Sequence, residues 1–99
     1  MDLDLIKKVG LVIGGSKGIG LAIAKSLAAE GVEICIMSRS IENLKSAQSD
    51  ILSSSAMEVK IYQGDASNVN DLDNLYEFLS ASIGLPDIVI SNSGGPPIG

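Results

Sequence analysis

Val9-Gly10-Leu11-Val12-Ile13-Gly14-Gly15-Ser16-Lys17-Gly18-Ile19-Gly20 is the stretch that decides the fold. An apolar run of strand-forming residues, Val9, Leu11, Val12 and Ile13, enters a turn carrying Gly14, Gly15, Gly18 and Gly20. An apolar-periodic segment opens directly behind that turn, so the pattern reads as strand, glycine loop and helix start. Glycine permits positive φ and lets backbone approach a ligand, while a helix start offers unpaired N–H groups and the positive end of a dipole. A phosphate group is the natural occupant, and Lys17 lies where a cation could face it. The spacing, Gly14-x-x-x-Gly18-x-Gly20, differs from the usual G-x-G-x-x-G dinucleotide fingerprint.

Outward from this turn, strands and helices alternate. Ile19, Ala22, Ile23, Ser26 and Leu27 recur at helical spacing, with small residues between them that permit close packing on a sheet, and Gly31 ends the helix. Val32 to Ser38 is rich in β-branched and apolar residues and reads as a second strand. Ser40 is a candidate N-cap for a helix with Ile41, Leu44, Ala47, Ile51 and Leu52 on one face, closed by Ser53 to Ser55. Met57 to Gln63 alternates Val59 and Ile61 with Glu58 and Lys60, the pattern of a less buried strand near a sheet edge. Asn68 with Asp71 predicts a capping box before a third helix, whose apolar face is Val69, Leu72, Leu75, Tyr76, Leu79 and Ile83. Gly84 and Pro86 punctuate its end, and Asp87 to Ser91 forms a fourth strand. Such alternation predicts an α/β fold, a doubly wound parallel sheet of about four strands in the order 3-2-1-4 with three helices on its two faces. The glycine turn then lies near the point where the strand order reverses.

Composition bounds the function. A chain of 99 residues is at most one domain, and its 45% hydrophobic and 19% charged residues are those of an ordinary folded protein. The single Cys35 excludes an internal disulfide, and with no histidine there is neither an ordinary zinc site nor an imidazole acid or base. Cys35 falls in an apolar strand pattern and reads as an inert buried thiol. A net charge of −5 argues against nucleic acid as a partner. No apolar run approaches the ~18 residues of a membrane span. Met1-Asp2-Leu3-Asp4 lacks the basic start of a signal peptide, so the expected compartment is the cytoplasm.

Three residue groups lie just beyond the carboxyl ends of the second, third and fourth strands. Ser38-Arg39 stands where a carboxylate would accept from an adenosine ribose and would repel a 2′-phosphate. A hydroxyl and a guanidinium there, with Lys17 as a second cation, favour NADP(H) over NAD(H). The lack of an acidic residue at the same place speaks against S-adenosylmethionine. Asp65-Ala66 comes after the third strand, where a carboxylate could accept from an adenine amino group; a turn-forming Asx residue is the alternative. Asn92-Ser93-Gly94 comes after the fourth, where glycine would let backbone lie against a ribose, though a simple turn also explains it. Arg39, likewise, has the alternative reading of a solvated loop cation.

Together these residues resemble the short-chain dehydrogenase/reductase family, over the whole chain. Gly14-Gly15-Ser16-Lys17-Gly18-Ile19-Gly20 is similar to the family's T-G-x-x-x-G-I-G turn, Asp65 to its adenine-contacting aspartate, and Ser91-Asn92-Ser93-Gly94 to its N-N-A-G segment. The Gly94-Gly95-Pro96-Pro97-Ile98-Gly99 tail is similar to 3-oxoacyl-acyl-carrier-protein reductase-like members. The resemblance implies that residues 1–99 are a partial dinucleotide-binding, Rossmann-like domain, the NADP(H)-binding half of an oxidoreductase acting on a carbonyl or secondary alcohol. The cofactor-binding residues it implies are Gly14, Ser16, Lys17, Gly18, Ile19, Gly20, Ser38, Arg39, Asp65, Ala66, Asn92, Ser93 and Gly94.

This sequence departs from the family pattern in three places. Ile13 stands in place of the family's Thr and Ser91 in place of its first Asn, which implies weaker bracing of the cofactor loops. The family's catalytic Ser, Tyr and Lys, the Lys four residues after the Tyr, find no counterpart: four residues beyond Tyr62 is Ala66, and four beyond Tyr76 is Ser80. The expectation is therefore a chain with a cofactor site, no catalytic residue and no turnover of its own, or alternatively a stand-alone nucleotide-binding module or structural remnant. Strand four would be left as an edge, and self-association through that edge or through apolar helix faces is expected.

Overall fold

The computed structural model describes residues 8–14, 18–55 and 59–91. Its elements in chain order are β1 (Val9–Ile13), α1 (Gly18–Ala29), β2 (Glu33–Ser38), α2 (Ile41–Ser55), β3 (Val59–Gln63), α3 (Val69–Ser82) and β4 (Ile88–Ser91). The four strands form one parallel sheet in the order β3-β2-β1-β4, as the alternation predicts. Val32 and Asp87, the first residues of the predicted second and fourth strands, fall one residue outside the observed ones, and Met57 and Glu58 lie outside the described residues.

Strand alternation sorts the side chains onto two faces. Val12, Ile34, Ile36 and Val59 point to one side and pack against Ala24 and Ala28 of α1 and Leu44, Ala47 and Ile51 of α2. Leu11, Cys35 and Met37 point to the other and meet Leu75 and Leu79 of α3. Each fully buried Leu or Ile contributes roughly 1.5–3 kcal/mol, and no polar side chain among the described residues is buried in this core.

The buried stripe of α1 differs from the predicted one. Gly20, Ala24 and Ala28 face the sheet, whereas Ile19, Ala22 and Ser26 face outward. Small residues four apart let the helix axis approach the strands closely, and counting large apolar residues does not detect that preference. β1 is shaped for the same approach. A Cβ on Gly10 would lie 3.0 Å from Ile34 Cδ1 and 3.2 Å from Val32 Cγ1. On α2 the predicted Leu44, Ala47 and Ile51 are buried, with Ile41 and Leu52 on the exposed flanks; on α3, Leu75 and Leu79 are buried while Val69 and Tyr76 are exposed.

Helix ends obey their sequence signals with one exception. Ser40 Oγ accepts from Asn43 N at 3.2 Å, capping α2, and Ser53 and Ser54 donate to the carbonyls of Asp50 and Ile51 inside its last turns. α1 closes with Gly31 N donating to the Ala28 carbonyl and Val32 N to that of Leu27, the paired bonds of a Schellman end. Asn68 Oδ1 caps α3 through Asp71 N at 3.2 Å. The reciprocal bond of the predicted capping box is absent. Asp71 Oδ2 reaches past the N-cap to accept from Asp65 N at 2.8 Å, because Asn68 N already donates to the Asp65 carbonyl.

Candidate functional site at the carboxyl ends of the strands

The register aligns the carboxyl ends of all four strands. Ile13 pairs with Met37 on one side and Ser91 on the other, and Met37 pairs in turn with Tyr62. The strand exits are therefore brought to one rim: Gly14 after β1, Arg39 after β2, and Gly64 and Asp65 after β3. Three bonds tie these exits together. Gly14 N donates to the Met37 carbonyl at 2.8 Å, Gly64 N to the Ser38 carbonyl at 2.9 Å, and Gln63 Nε2 to the Arg39 carbonyl at 3.1 Å.

Gly14 and Gly18, at φ 78° and 57°, hold the left-handed conformations expected of a glycine turn. A Cβ built on Gly18 meets nothing within 4 Å, so the space there is open. α1 begins at Gly18 and carries no acidic residue in its first turn, so no carboxylate of its own offsets its dipole end. Ile19 beside it is 73% exposed. Gly20 faces the sheet and serves close packing. Gly15, Ser16 and Lys17, and Asn92, Ser93 and Gly94, lie outside the described residues.

Ile13, in place of the family's Thr, turns its side chain into the α3 face of the core, and the turn after it is braced by the Gly14 backbone bond. After β2, Ser38 Oγ accepts from Ser40 N at 3.3 Å, and Arg39 is exposed. After β3, Asp65 Oδ1 accepts from both Ser67 N at 2.9 Å and Ser67 Oγ at 2.7 Å. The Asx-turn reading of Asp65 thus describes a real feature of the loop. These two bonds hold its carboxyl below the ordinary aspartate range, with the Arg39 charge adding to them, so Asp65 carries a negative charge at neutral pH. Ala66 turns its methyl toward the α3 side of the core and has backbone to offer a ligand.

Gln63, Gly64 and Asp71 were not singled out as site residues by their sequence positions. A Cβ on Gly64 would meet the flexible end of Met37, Cε at 2.9 Å, and come to ordinary contact with Asp71 Cβ at 3.5 Å, so the loop lies close against Met37 and α3. Cys35 is fully buried, and burial pushes its thiol up to about 12 against the pull of Lys60, which fits the inert role expected of it. Tyr62 is half-buried with its ring 5.4 Å from that of Phe78. Among the described residues no cluster of metal-ligating side chains is present, and no helix is long and apolar enough to cross a membrane.

The family profile described as short chain dehydrogenase matches residues 8–99. A fatty acyl-CoA reductase of Acinetobacter baylyi is 34% identical over 87 residues, covering 88% of this chain and 29% of the relative. The NADPH-dependent reductase BacG of Bacillus subtilis is 33% identical over 93 residues, covering 92% of this chain and 36% of that protein. Among solved structures, L-sorbose reductase from Gluconobacter frateurii, complexed with NADPH and L-sorbose, superposes with a TM-score of 0.89 at 31% identity, over 98% of this chain and 37% of that one. The chain thus spans about a third of the length of the curated relatives it matches.

Proposed function

This chain belongs to the short-chain dehydrogenase family, and from that premise we propose that it is the NADP(H)-binding half of an oxidoreductase acting on a carbonyl or secondary alcohol. Residues 1–99 are read as one partial dinucleotide-binding domain. The observation that carries the proposal is the gathering of the Gly14 turn, Arg39 and Asp65 at one rim by the Gly14–Met37, Gln63–Arg39 and Gly64–Ser38 bonds. An NADPH-dependent relative and an NADPH-complexed neighbour support the same cofactor.

The residues present fit such a ligand. Open space above Gly18 and a helix start without a carboxylate suit a pyrophosphate, and the exposed Ile19 supplies an apolar surface beside it. In this assignment backbone from Gly14 and from Ser16 to Gly20 holds the pyrophosphate, with Lys17, Ser38 and Arg39 receiving the 2′-phosphate. Asp65 Oδ2 accepts from the adenine amino group while Oδ1 stays with Ser67. Ala66 offers backbone to the adenine, and Asn92, Ser93 and Gly94 are assigned to a ribose. Bound NADPH supplies the hydride. Proton delivery to the developing alkoxide falls to groups outside this set, because neither Tyr62 nor Tyr76 has a lysine four residues on. The cytoplasm is the proposed compartment, on composition, and a second copy of the chain the proposed partner. The acidic net charge speaks against nucleic acid.

Titration of the chain with NADPH and NADH tests the reading. Saturable binding is expected, tighter for NADPH by about ten- to a hundredfold, the worth of one charge-assisted contact. Failure of both to bind sinks the cofactor assignment, and reduction of a carbonyl by the 99-residue chain sinks its non-catalytic part.

A further inference from the structure

Gln63 is the last residue of β3 and pairs with Ser38, the last of β2. The backbone ladder between these strands ends with Gly64 N on the Ser38 carbonyl at 2.9 Å. Beyond it the Gln63 side chain adds one more rung, donating from Nε2 to the Arg39 carbonyl at 3.1 Å. The Arg39 carbonyl and the Ser40 N–H belong to one peptide unit, and that N–H donates to Ser38 Oγ. The peptide plane after Arg39 is therefore held at both its polar atoms. The plane before it is held at the Ser38 carbonyl. With both flanking planes fixed, φ and ψ of Arg39 are fixed, and with them the direction in which its Cβ leaves the backbone.

Gln63 itself is exposed, so packing does not account for the place of its side chain. Nor does the β2–β3 pairing need it, since that ladder is complete without it. We infer that Gln63 is a positioning residue for cofactor selectivity: by clamping the Arg39 carbonyl it aims the guanidinium at the 2′-phosphate of NADP(H), an inference that rests on the proposed role of Arg39. A backbone already fixed at Arg39 lowers what must be ordered when a phosphate is bound. The effect is confined to ligands bearing the 2′-phosphate.

Adenosine 2′,5′-bisphosphate and 5′-AMP, which differ only in that phosphate, are the probes, with binding to the chain measured by calorimetry. In Gln63→Met, which keeps length and loses the donor, affinity for the bisphosphate is expected to fall about three- to tenfold while that for 5′-AMP stays within about twofold. Equal loss for both probes, the mark of a merely structural role, overturns the inference, as does no loss for either. Arg39→Ala separates this inference from the reading beneath it. If Arg39→Ala lowers the bisphosphate-to-AMP ratio and Gln63→Met does not, the Gln63 role fails alone. If Arg39→Ala leaves the ratio intact, or the parent chain binds neither probe, the 2′-phosphate reading fails and takes the Gln63 role with it. In the double variant the ratio is expected to match that of Arg39→Ala, since a clamp without its arginine has nothing to aim.

Discussion

Asp65 shows how one carboxylate serves loop structure and a ligand site together. Its Oδ1 accepts two bonds from Ser67, and these hold the acid below the ordinary value of 3.8. Because the folded value lies under the unfolded one, the stabilisation is present above the unfolded value and is lost as pH falls through the folded one. Ser67→Ala, which removes the hydroxyl bond and keeps the backbone one, is expected to move the Asp65 midpoint upward in a carboxyl-carbon NMR titration, and an unchanged midpoint would assign the shift to the Ser67 backbone N–H and Arg39. Local partnerships of this sort were legible in the sequence: Ser40 and Asn68 cap the helices they precede. Gln63 was not, since its partner Arg39 lies 24 residues away and their meeting depends on the β2–β3 register. Asp71 was legible only in part, as its spacing from Asn68 announces a cap while its carboxylate goes to Asp65.

Among the elements, β-branched runs and caps placed every strand and helix to within a few residues, but the sheet-facing stripe of α1 escaped the period. Close helix-on-sheet packing selects Gly20, Ala24 and Ala28, and hydrophobicity weights such residues lightly. Two glycines at element ends separate conformational need from steric need. Gly84, at φ 103°, ends α3 by donating to the Leu79 carbonyl, and a Cβ there would meet only Val9 Cγ2 at 4.0 Å. Gly84→Ala therefore suffers backbone strain and is expected to cost roughly 1–2 kcal/mol. At Gly64 the obstacle is the flexible end of Met37, at 2.9 Å, so Gly64→Ala is expected to cost under about 1 kcal/mol as that methyl moves aside. Urea denaturation of both variants checks the order, and a larger loss at Gly64 would contradict it.

For the whole molecule, the strand order, the two-faced burial and the open edge at β4 came from alternation, whereas how far Val89 stands exposed there required the structure. β4 pairs with β1 along one edge, and Val89, on the α3 side of the sheet, is 49% exposed. Association of the chain through this edge is expected to show as a mass above the monomer's 10.2 kDa in light scattering, and Val89→Lys to return it toward that value. A parent chain that stays monomeric at every concentration would refute this. The link between β1 and β4 carries one more consequence. Val9 N donates to Asp87 Oδ2 at 2.9 Å while Asp87 N donates to the Val9 carbonyl, a clasp between positions 78 apart in the chain. Its closure entropy exceeds that of any β1–β2 or β2–β3 contact. On the ribosome, β1 to β3 with α1 and α2 can assemble as the chain emerges, and β4 slots in after them, against a surface already built to receive it.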